Sequence, residues 1–487
     1  MGDNLKNKMV SALTWATIDR FGQQAVQFFI GMILARLLSP SDYTLIGLVM
    51  VFISLSSALV DSGFGQALVR KPEANETDFN TVFYFNIFIS ALLYLILFFS
   101  APYIATFFNQ PKLVIVSRVI FIGIFLNALY LIPTVIMIRA LDFKNSTKIN
   151  IFSVTCSGIF GIIFAFYGFG VWALVAQQLL FHFFRFLSLT FIIRWKPQFI
   201  FSFKVIRNFW GFSINLLGTN ILNNIFNYIY ILILGKYFPK QQEVGLYYQA
   251  NKLNDTVNYS FQVILGSTYS ILVKMQHDGE RFQRVFREIV RKSSIVIFPV
   301  MLSLIVVAKP LIIVLLSSKW LPSVLYFQML CLASLFNPLY SLSISALNAR
   351  GNSNITFRIE IIKKVLILLS IGCCFKYGII PLLIGLTVAN WISYIISVFA
   401  LKKDLTHYWK HQLKDILPSF GIGLFIAVVL GLLSLIIQNQ HLLFSLQFTV
   451  GASLYLLFVK IFYSDIYTSS LSLIKGLLKI NRNEKNN

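Results

Sequence analysis

Six ionisable side chains lie inside stretches otherwise made of apolar residues: Asp19, Arg20, Asp61, Arg185, Lys252 and Asp255. An ionised group in hydrocarbon costs about 2.5–3.5 kcal/mol on insertion scales, so each must face a partner or a watery cavity. Two readings are open. Arg20 with Asp61, and Lys252 with Asp255, neutralise each other structurally; alternatively Arg20, Arg185 and Lys252 supply positive potential for an anionic head group. An arginine fork matches two phosphate oxygens at once, which favours that class of anion. Under the second reading Asp19, Asp61 and Asp255 tune the cations or carry a coupling proton or Na⁺. His182, one turn from Arg185, reads as a packing or hydrogen-bonding residue, and Lys309 and Lys460 sit near enough to span ends to snorkel.

Uncharged polar residues recur on the same stretches at helical spacing. Trp15, Asp19, Gln23 and Gln27 form one stripe, and Ser54, Ser57 and Asp61 another. Two more contain Asn220, Asn223, Asn224 and Asn227, and Asn251, Asp255, Asn258 and Gln262. Amides of this kind either glue helices together, at about 0.6 kcal/mol each, or line a cavity. Four stripes on matched helices favour the cavity. Trp15, Tyr247, Tyr248 and Tyr259 would then offer rings on which sugars stack; packing or interfacial anchoring is the alternative. The four cysteines, Cys156, Cys331, Cys373 and Cys374, all fall in apolar runs without metal-ligand spacing, so no metal or cofactor is expected.

The elements that hold these residues follow from composition. The chain has 487 residues, 57% hydrophobic and 12% charged, with a mean hydropathy of +0.75. That is too little polar surface for a water-soluble globule, and the apolar residues run in long stretches: this is an all-α integral membrane protein. The stretch from Val10 to Leu37 is too long for a signal-peptide core and should stay as a helix. Spans are expected at 10–37, 44–69, 79–105, 113–138, 149–168, 171–193, 205–235, 244–273, 293–316, 320–348, 356–376, 379–401, 415–437 and 441–463, fourteen transmembrane helices in all.

The net charge of +23 does not point to nucleic acid, because the basic residues sit in short loops and build no groove. Alternate loops collect them: Arg70 and Lys71; Arg139, Lys144 and Lys148; Arg194, Lys196, Lys204 and Arg207; Lys274 to Lys292; Arg350 to Lys364; and Lys402, Lys403, Lys410 and Lys414. The opposite loops hold little beyond Arg36, Lys112, Lys236, Lys240, Lys319 and Lys376. This bias places both termini in the cytoplasm. Within the longest loop, Phe282, Val285, Phe286 and Ile289 alternate with arginines, as in an amphipathic helix on the inner leaflet. A solvated basic linker is the other reading. The tail Asn481–Asn487 is expected to be disordered.

The chain also resembles itself. Ile33–Leu37 recurs as Ile233–Tyr237, Asn127-Ala128-Leu129-Tyr130 as Asn337-Pro338-Leu339-Tyr340, and Tyr167-Gly168 as Tyr377-Gly378. The offset spans an even number of helices, so two six-helix bundles, 1–200 and 201–403, should be related by a pseudo-two-fold along the membrane normal, with a C-terminal helix pair and tail in 404–487. A cavity between such bundles, lined by the first, second, seventh and eighth spans, suits alternating access.

Specific motifs extend the argument. Leu34-Ala35-Arg36-Leu37-Leu38-Ser39-Pro40-Ser41-Asp42-Tyr43 resembles the first extracytoplasmic turn of the Wzx-type polysaccharide flippases, in the multidrug/oligosaccharidyl-lipid/polysaccharide (MOP) superfamily that includes the MATE exporters. Asp61-Ser62-Gly63-Phe64-Gly65, Arg139-Ala140-Leu141-Asp142-Phe143-Lys144, Gly245-Leu246-Tyr247-Tyr248-Gln249-Ala250 and Lys319-Trp320 add to the resemblance, which is strongest to the colanic-acid and teichuronic-acid branch. One departure stands out: the family commonly has Gly where this chain has Thr44, whereas the second-half equivalent, Gly245, keeps it. The resemblance implies a flippase, not an enzyme, in a bacterial inner membrane. It would turn undecaprenyl-diphosphate-linked oligosaccharide repeat units from the cytoplasmic to the periplasmic leaflet through a cationic cavity, for O-antigen, capsule or exopolysaccharide. A polysaccharide polymerase and a chain-length regulator are the implied partners. An ion-coupled multidrug exporter and a lipid II flippase are rivals within the superfamily. A membrane glycosyltransferase or polymerase would need an acid or base beside the sugar in an extramembrane loop or mouth, and the periplasmic loops are short and nearly devoid of Asp, Glu and His.

Overall fold

The computed structural model describes residues 2–61, 63–238, 242–266, 268–403 and 408–463, and among these every regular element is a helix. The chain runs α1 (Gly2–Leu37), α2 (Pro40–Asp61), α3 (Phe64–Arg70), α4 (Glu76–Phe107), α5 (Leu113–Ile120), α6 (Ile122–Ala140), α7 (Phe143–Phe166), α8 (Val171–Ile193), α9 (Phe203–Tyr237) and α10 (Glu243–Leu265). It continues through α11 (Thr268–Val273), α12 (Gly279–Leu316), α13 (Ser323–Ser334), α14 (Asn337–Ala349), α15 (Ser353–Cys374), α16 (Ile379–Ala400), α17 (Tyr408–Ile436) and α18 (Gln440–Phe462).

Among the described residues, 11 helical segments are long and apolar enough to cross a membrane. The three other expected spans coincide with α1, α10 and α15, of 36, 23 and 22 residues. At about 1.5 Å per residue each reaches across a hydrocarbon core; their polar side chains set them apart. Four expected spans are broken, the eighth among them, since 244–273 is divided into α10 and α11. The second divides at Gly63, whose φ of 75° is a left-handed conformation open to glycine, and where a Cβ would come within 3.1 Å of the Ser213 backbone. The fourth divides at Phe121, and the tenth before Asn337-Pro338, where proline occupies the first turn of α14.

The chain forms two compact units, one ending at Gln249 and the other beginning at Ala250. In the first, α1 packs on α7, α7 on α8, α8 on α6 and α6 on α4, while α9 lies against α2. That last contact carries the unit past the bundle boundary expected near residue 200. Phe64, Leu68, Val82, Phe83, Leu131, Ile132 and Val135 form one core cluster of it, from α3, α4 and α6, and Tyr130, Met137, Ile149 and Leu189 another. In the second unit α12 is the central post, packed by α17, α13 and α18, and α15 pairs with α16. Elsewhere Phe88, Phe99, Phe152, Leu369 and Leu435 stand exposed, as side chains do when their solvent is lipid.

The amphipathic stretch after Lys274 is not a separate helix on a leaflet surface. It is the first part of α12, which runs unbroken from Gly279, and Phe282 and Phe286 are fully buried in the protein. Their apolar face is therefore a packing face, and Arg287 on the other side forms a two-point ion pair with Asp415 of α17, at 2.8 and 2.9 Å. The tail Asn481–Asn487 and Lys240 lie outside the described residues.

Each unit closes one end with a similar device. Arg139, at the end of α6, donates to the carbonyls of Leu68, Lys71 and Pro72 and stands 5.9 Å from the Phe79 ring centroid. Arg350, at the end of α14, donates to the Gln276 carbonyl at 2.6 Å and stands 4.5 Å from the Phe282 ring. Both guanidiniums satisfy carbonyls at a helix C-terminal turn, where the helix dipole also favours a cation. The helix that follows each turn starts on a side-chain cap: Asn75 in a reciprocal capping box with Asp78, and Asp278 accepting from the Arg281 N–H.

Candidate functional site

Within the first unit, α2 and α9 leave a cavity of about 360 Å³. Ser54, Ser57 and Asp61 line it from α2, and Asn220, Asn224 and Tyr228 from α9, with Met50, Ile53 and Ala58 completing the wall. The Asn224 amide donates to the Ser54 carbonyl at 3.4 Å and ties the two helices together. Its size falls at the lower end of the roughly 300–1,000 Å³ range of small-molecule sites. The lining is chiefly hydroxyl, amide and carboxylate, so it can hold water or a polar head group and not a hydrocarbon chain.

Asp61 feels the charge of Arg185 on α8, but among the described residues the two make no ion pair within 4 Å. Arg185 instead lies 4.8 Å from the ring centroid of Tyr130 on α6. The Tyr130 hydroxyl is bound to His182 Nδ1 at 2.9 Å, with the two rings stacked at 6.0 Å. His182 thus acts on the position of Tyr130, and Tyr130 supports the cation. Arg185 Nε is buried without a hydrogen-bond partner. Cation–π support is worth about 0.5–2 kcal/mol and leaves Nε unspent.

The structure distributes the other expected residues as follows. Of the cavity set, Asp61, Asn220 and Asn224 come together; Asn227 is exposed on α9 outside the lining. The α1 stripe does not contribute to this cavity. Asp19 accepts from Gln23 at 2.9 Å and from Asn150 of α7 at 3.2 Å, so that stripe meets α7. Trp15 offers its carbonyl to Thr147 and its ring to Lys144, at 5.9 Å. Arg20 is exposed, and neither of the anticipated pairs, Arg20 with Asp61 or Lys252 with Asp255, is an ion pair among the described residues. Asp255 accepts instead from Asn251, one turn back on α10, at 2.8 Å, and Lys252 is exposed beside them. Tyr247, only 4% exposed, is packed and presents no face for stacking.

Sequence reasoning passed over Tyr130 as a binding element, using it only as a marker of the repeat. The basic loop expected from Arg350 to Lys364 overlaps the span expected at 356–376, and the structure places Glu360 and Lys363 inside α15. The signal was present: Glu360 and Lys363 are one turn apart, and both contact Tyr340, the repeat partner of Tyr130.

The fold is that of known transporters. It is similar to the lipid II flippase MurJ in an inward closed conformation (TM-score 0.75, 18% identity, covering 92% of this chain and 98% of that one). It is also similar to an inward-facing multidrug resistance MATE family transporter of the MOP superfamily (TM-score 0.62, 15% identity, covering 80% and 99%). Among sequences, the succinoglycan biosynthesis transport protein ExoT of Rhizobium meliloti (strain 1021) is 24% identical over 310 residues, 63% of this chain and 62% of ExoT, so that match spans less than two thirds of the relative. The teichuronic acid biosynthesis protein TuaB of Bacillus subtilis (strain 168) is 22% identical over 435 residues, 86% of this chain and 89% of TuaB. The signature described as "Polysaccharide biosynthesis protein" matches residues 33–325, and with more than half of its length so matched, the chain belongs to that family.

Proposed function

We propose that the protein flips lipid-linked oligosaccharide repeat units, carried on undecaprenyl diphosphate, from the cytoplasmic to the periplasmic leaflet of a bacterial inner membrane for cell-surface polysaccharide. The observation that carries this reading is the polar cavity of α2 and α9 beside a ring-supported arginine with a donor to spare, in a chain of the polysaccharide biosynthesis family. A diphosphate cannot cross bare hydrocarbon; its water must be replaced by fixed donors and cations. Arg185 supplies the charge, and Asn220, Asn224 and the hydroxyls of α2 supply neutral hydrogen bonds. The polyprenyl tail stays in lipid throughout. Arg20 and Lys252, with Gln23 and Asn251 near them, belong to the same path at other stages of a rocking cycle between the bundles 1–200 and 201–403, and Asp19, Asp61 and Asp255 tune the charge along it. Both termini are cytoplasmic, as the loop charges require. The repeat unit passes on to a polymerase and its chain-length regulator, and the chain itself performs no bond chemistry.

Leaflet transfer in proteoliposomes tests this. A fluorescent undecaprenyl-diphosphate oligosaccharide placed on one leaflet should reach the other at a rate that falls at least tenfold in Arg185→Ala with equal protein incorporated. Transfer of sugars without translocation would favour an enzyme, and export of organic cations in preference to the lipid carrier would favour the multidrug reading. Preference for lipid II over a polysaccharide precursor would assign the chain to peptidoglycan synthesis.

A further inference from the structure

Tyr340 is only 6% exposed, at the start of α14 in the second unit. Its hydroxyl donates to Glu360 Oε1 at 2.7 Å, and the Lys363 ammonium lies 4.3 Å from its ring centroid. Among the described residues Lys363 has no hydrogen-bond acceptor and no ion pair within 4 Å, Glu360 included. The first unit has the same arrangement around Tyr130: hydroxyl tied to His182, ring under Arg185.

The tyrosines are repeat partners, but the cations are not. Arg185 comes from α8, the last helix of its half, whereas Lys363 comes from α15, the counterpart of α7. A cation has thus been placed on the same ring from two different helices, which comparison of the two halves by sequence cannot detect. Their depths agree. Arg185 is eight residues from Ile193 and Lys363 ten residues from Ser353, about 12 and 15 Å from the helix end that borders a basic loop.

A lysine at this depth held by a ring alone keeps its N–H donors unspent, and a tied hydroxyl keeps the ring from turning. We propose that Lys363 on Tyr340 is a second oxyanion subsite, lodged wholly in the second unit, which takes a phosphate-class group of the lipid carrier. The identity of that ligand rests on the flippase reading. Glu360 balances the charge of the empty subsite through space, so that an unliganded ammonium is tolerated in the membrane. Anion binding then sets the lysine's attraction against the carboxylate's repulsion, a balance that favours release as well as capture.

Two substitutions separate this from a merely structural trio. Binding of undecaprenyl diphosphate to the purified full chain in detergent is measured with undecaprenol, inorganic pyrophosphate and phosphatidylglycerol as comparison ligands. Lys363→Ala should weaken carrier binding about tenfold, and Lys363→Arg should restore it. Glu360→Gln keeps an acceptor for the Tyr340 hydroxyl but removes the opposing charge, and should tighten binding several-fold. Equal displacement by phosphatidylglycerol would make the subsite one for anionic lipids at large and overturn its assignment to the carrier. Unchanged affinity in Lys363→Ala, or weaker binding in Glu360→Gln from protein that elutes as a single species, would show that the trio only neutralises itself. If the wild-type chain binds the diphosphate in a Lys363-dependent way yet moves no lipid between leaflets, the flippase reading fails and the subsite stands. Absence of diphosphate binding by the wild type overturns the subsite directly.

Discussion

Replacing Gly245 by Ala should destabilise the first unit by about 2–4 kcal/mol, and the magnitude follows from one contact. A Cβ built on Gly245 would lie 1.9 Å from the Pro40 carbonyl oxygen and 2.9 Å from both the Pro40 carbonyl carbon and the Thr44 nitrogen. A carbon rarely approaches such an oxygen closer than about 3.3 Å, so the first turns of α2 and α10 would have to part by more than about 1 Å. Overpacking of this kind costs about 1–3 kcal/mol. Separation also breaks the Gly245 N–H to Thr44 Oγ1 bond, 2.9 Å long and buried, worth about 1 kcal/mol more. Thermal unfolding in detergent, followed by size-exclusion chromatography after heating, should show Gly245→Ala lower by about 4–8 °C. Thr44→Gly in the same chain should not rescue it, because the obstructing atoms belong to the Pro40 backbone. A Gly245→Ala protein that melts with the wild type, or one that Thr44→Gly restores, would refute the contact as drawn.

Asn75→Ala removes one arm of the capping box on α4 and should cost about 1 kcal/mol by the same assay. Asp78→Ala should cost more, about 2–3 kcal/mol, since the 2%-exposed carboxylate also holds Lys71 at 2.6 Å and the Asn75 N–H at 3.0 Å. Arg139→Lys keeps the charge but loses the fork that spans the carbonyls of Leu68, Lys71 and Pro72, and should raise proteolysis in the 68–75 turn while the distant Arg350 turn stays protected. Asp61→Asn removes the negative charge facing Arg185 without changing shape; carrier diphosphate should bind several-fold more tightly and leave more slowly, read as a lower Kd with a lower turnover.

The departure at Thr44 has a physical reason that only the pairing of the turns reveals. The two turns matched by the repeat pack against each other, and the threonine supplies the acceptor for the glycine's N–H. Gly245 must be bare because the Pro40 backbone lies against it, and the side chain at position 44 meets the glycine's N–H. Span positions were legible because hydropathy and length are local properties of the chain. The partner of a polar face is not local: periodicity correctly grouped Asp19 with Gln23 but could not say that the face meets Asn150 of α7. The aromatic-rich start of α12 misled for the same reason, since burial of Phe282 and Phe286 in protein or in lipid demands the same amphipathic pattern. In α15 the span expected at 356–376 was legible despite Arg358, Glu360, Lys363 and Lys364, but what those charges touch was not.

The charge surplus explains why so many of those contacts are with rings. With 41 basic and 18 acidic residues, most cations have no carboxylate to meet, while aromatic residues make up 16% of the chain. Arg118 lies 4.3 Å from the Phe98 ring and also donates to the Phe98 carbonyl; Lys236 lies 4.3 Å from Phe107 and donates to its carbonyl. Arg70 stands over Phe212 and Arg291 over Tyr463. A carboxylate would cancel each charge, whereas a ring face attracts the cation and leaves its field in place. Near the loops that field orients the chain in the membrane. Where carbonyl partners also run out, as at Arg185 and Lys363, the same solution leaves a positive group with donors to offer, which is what an anionic head group needs in order to exchange its water for protein.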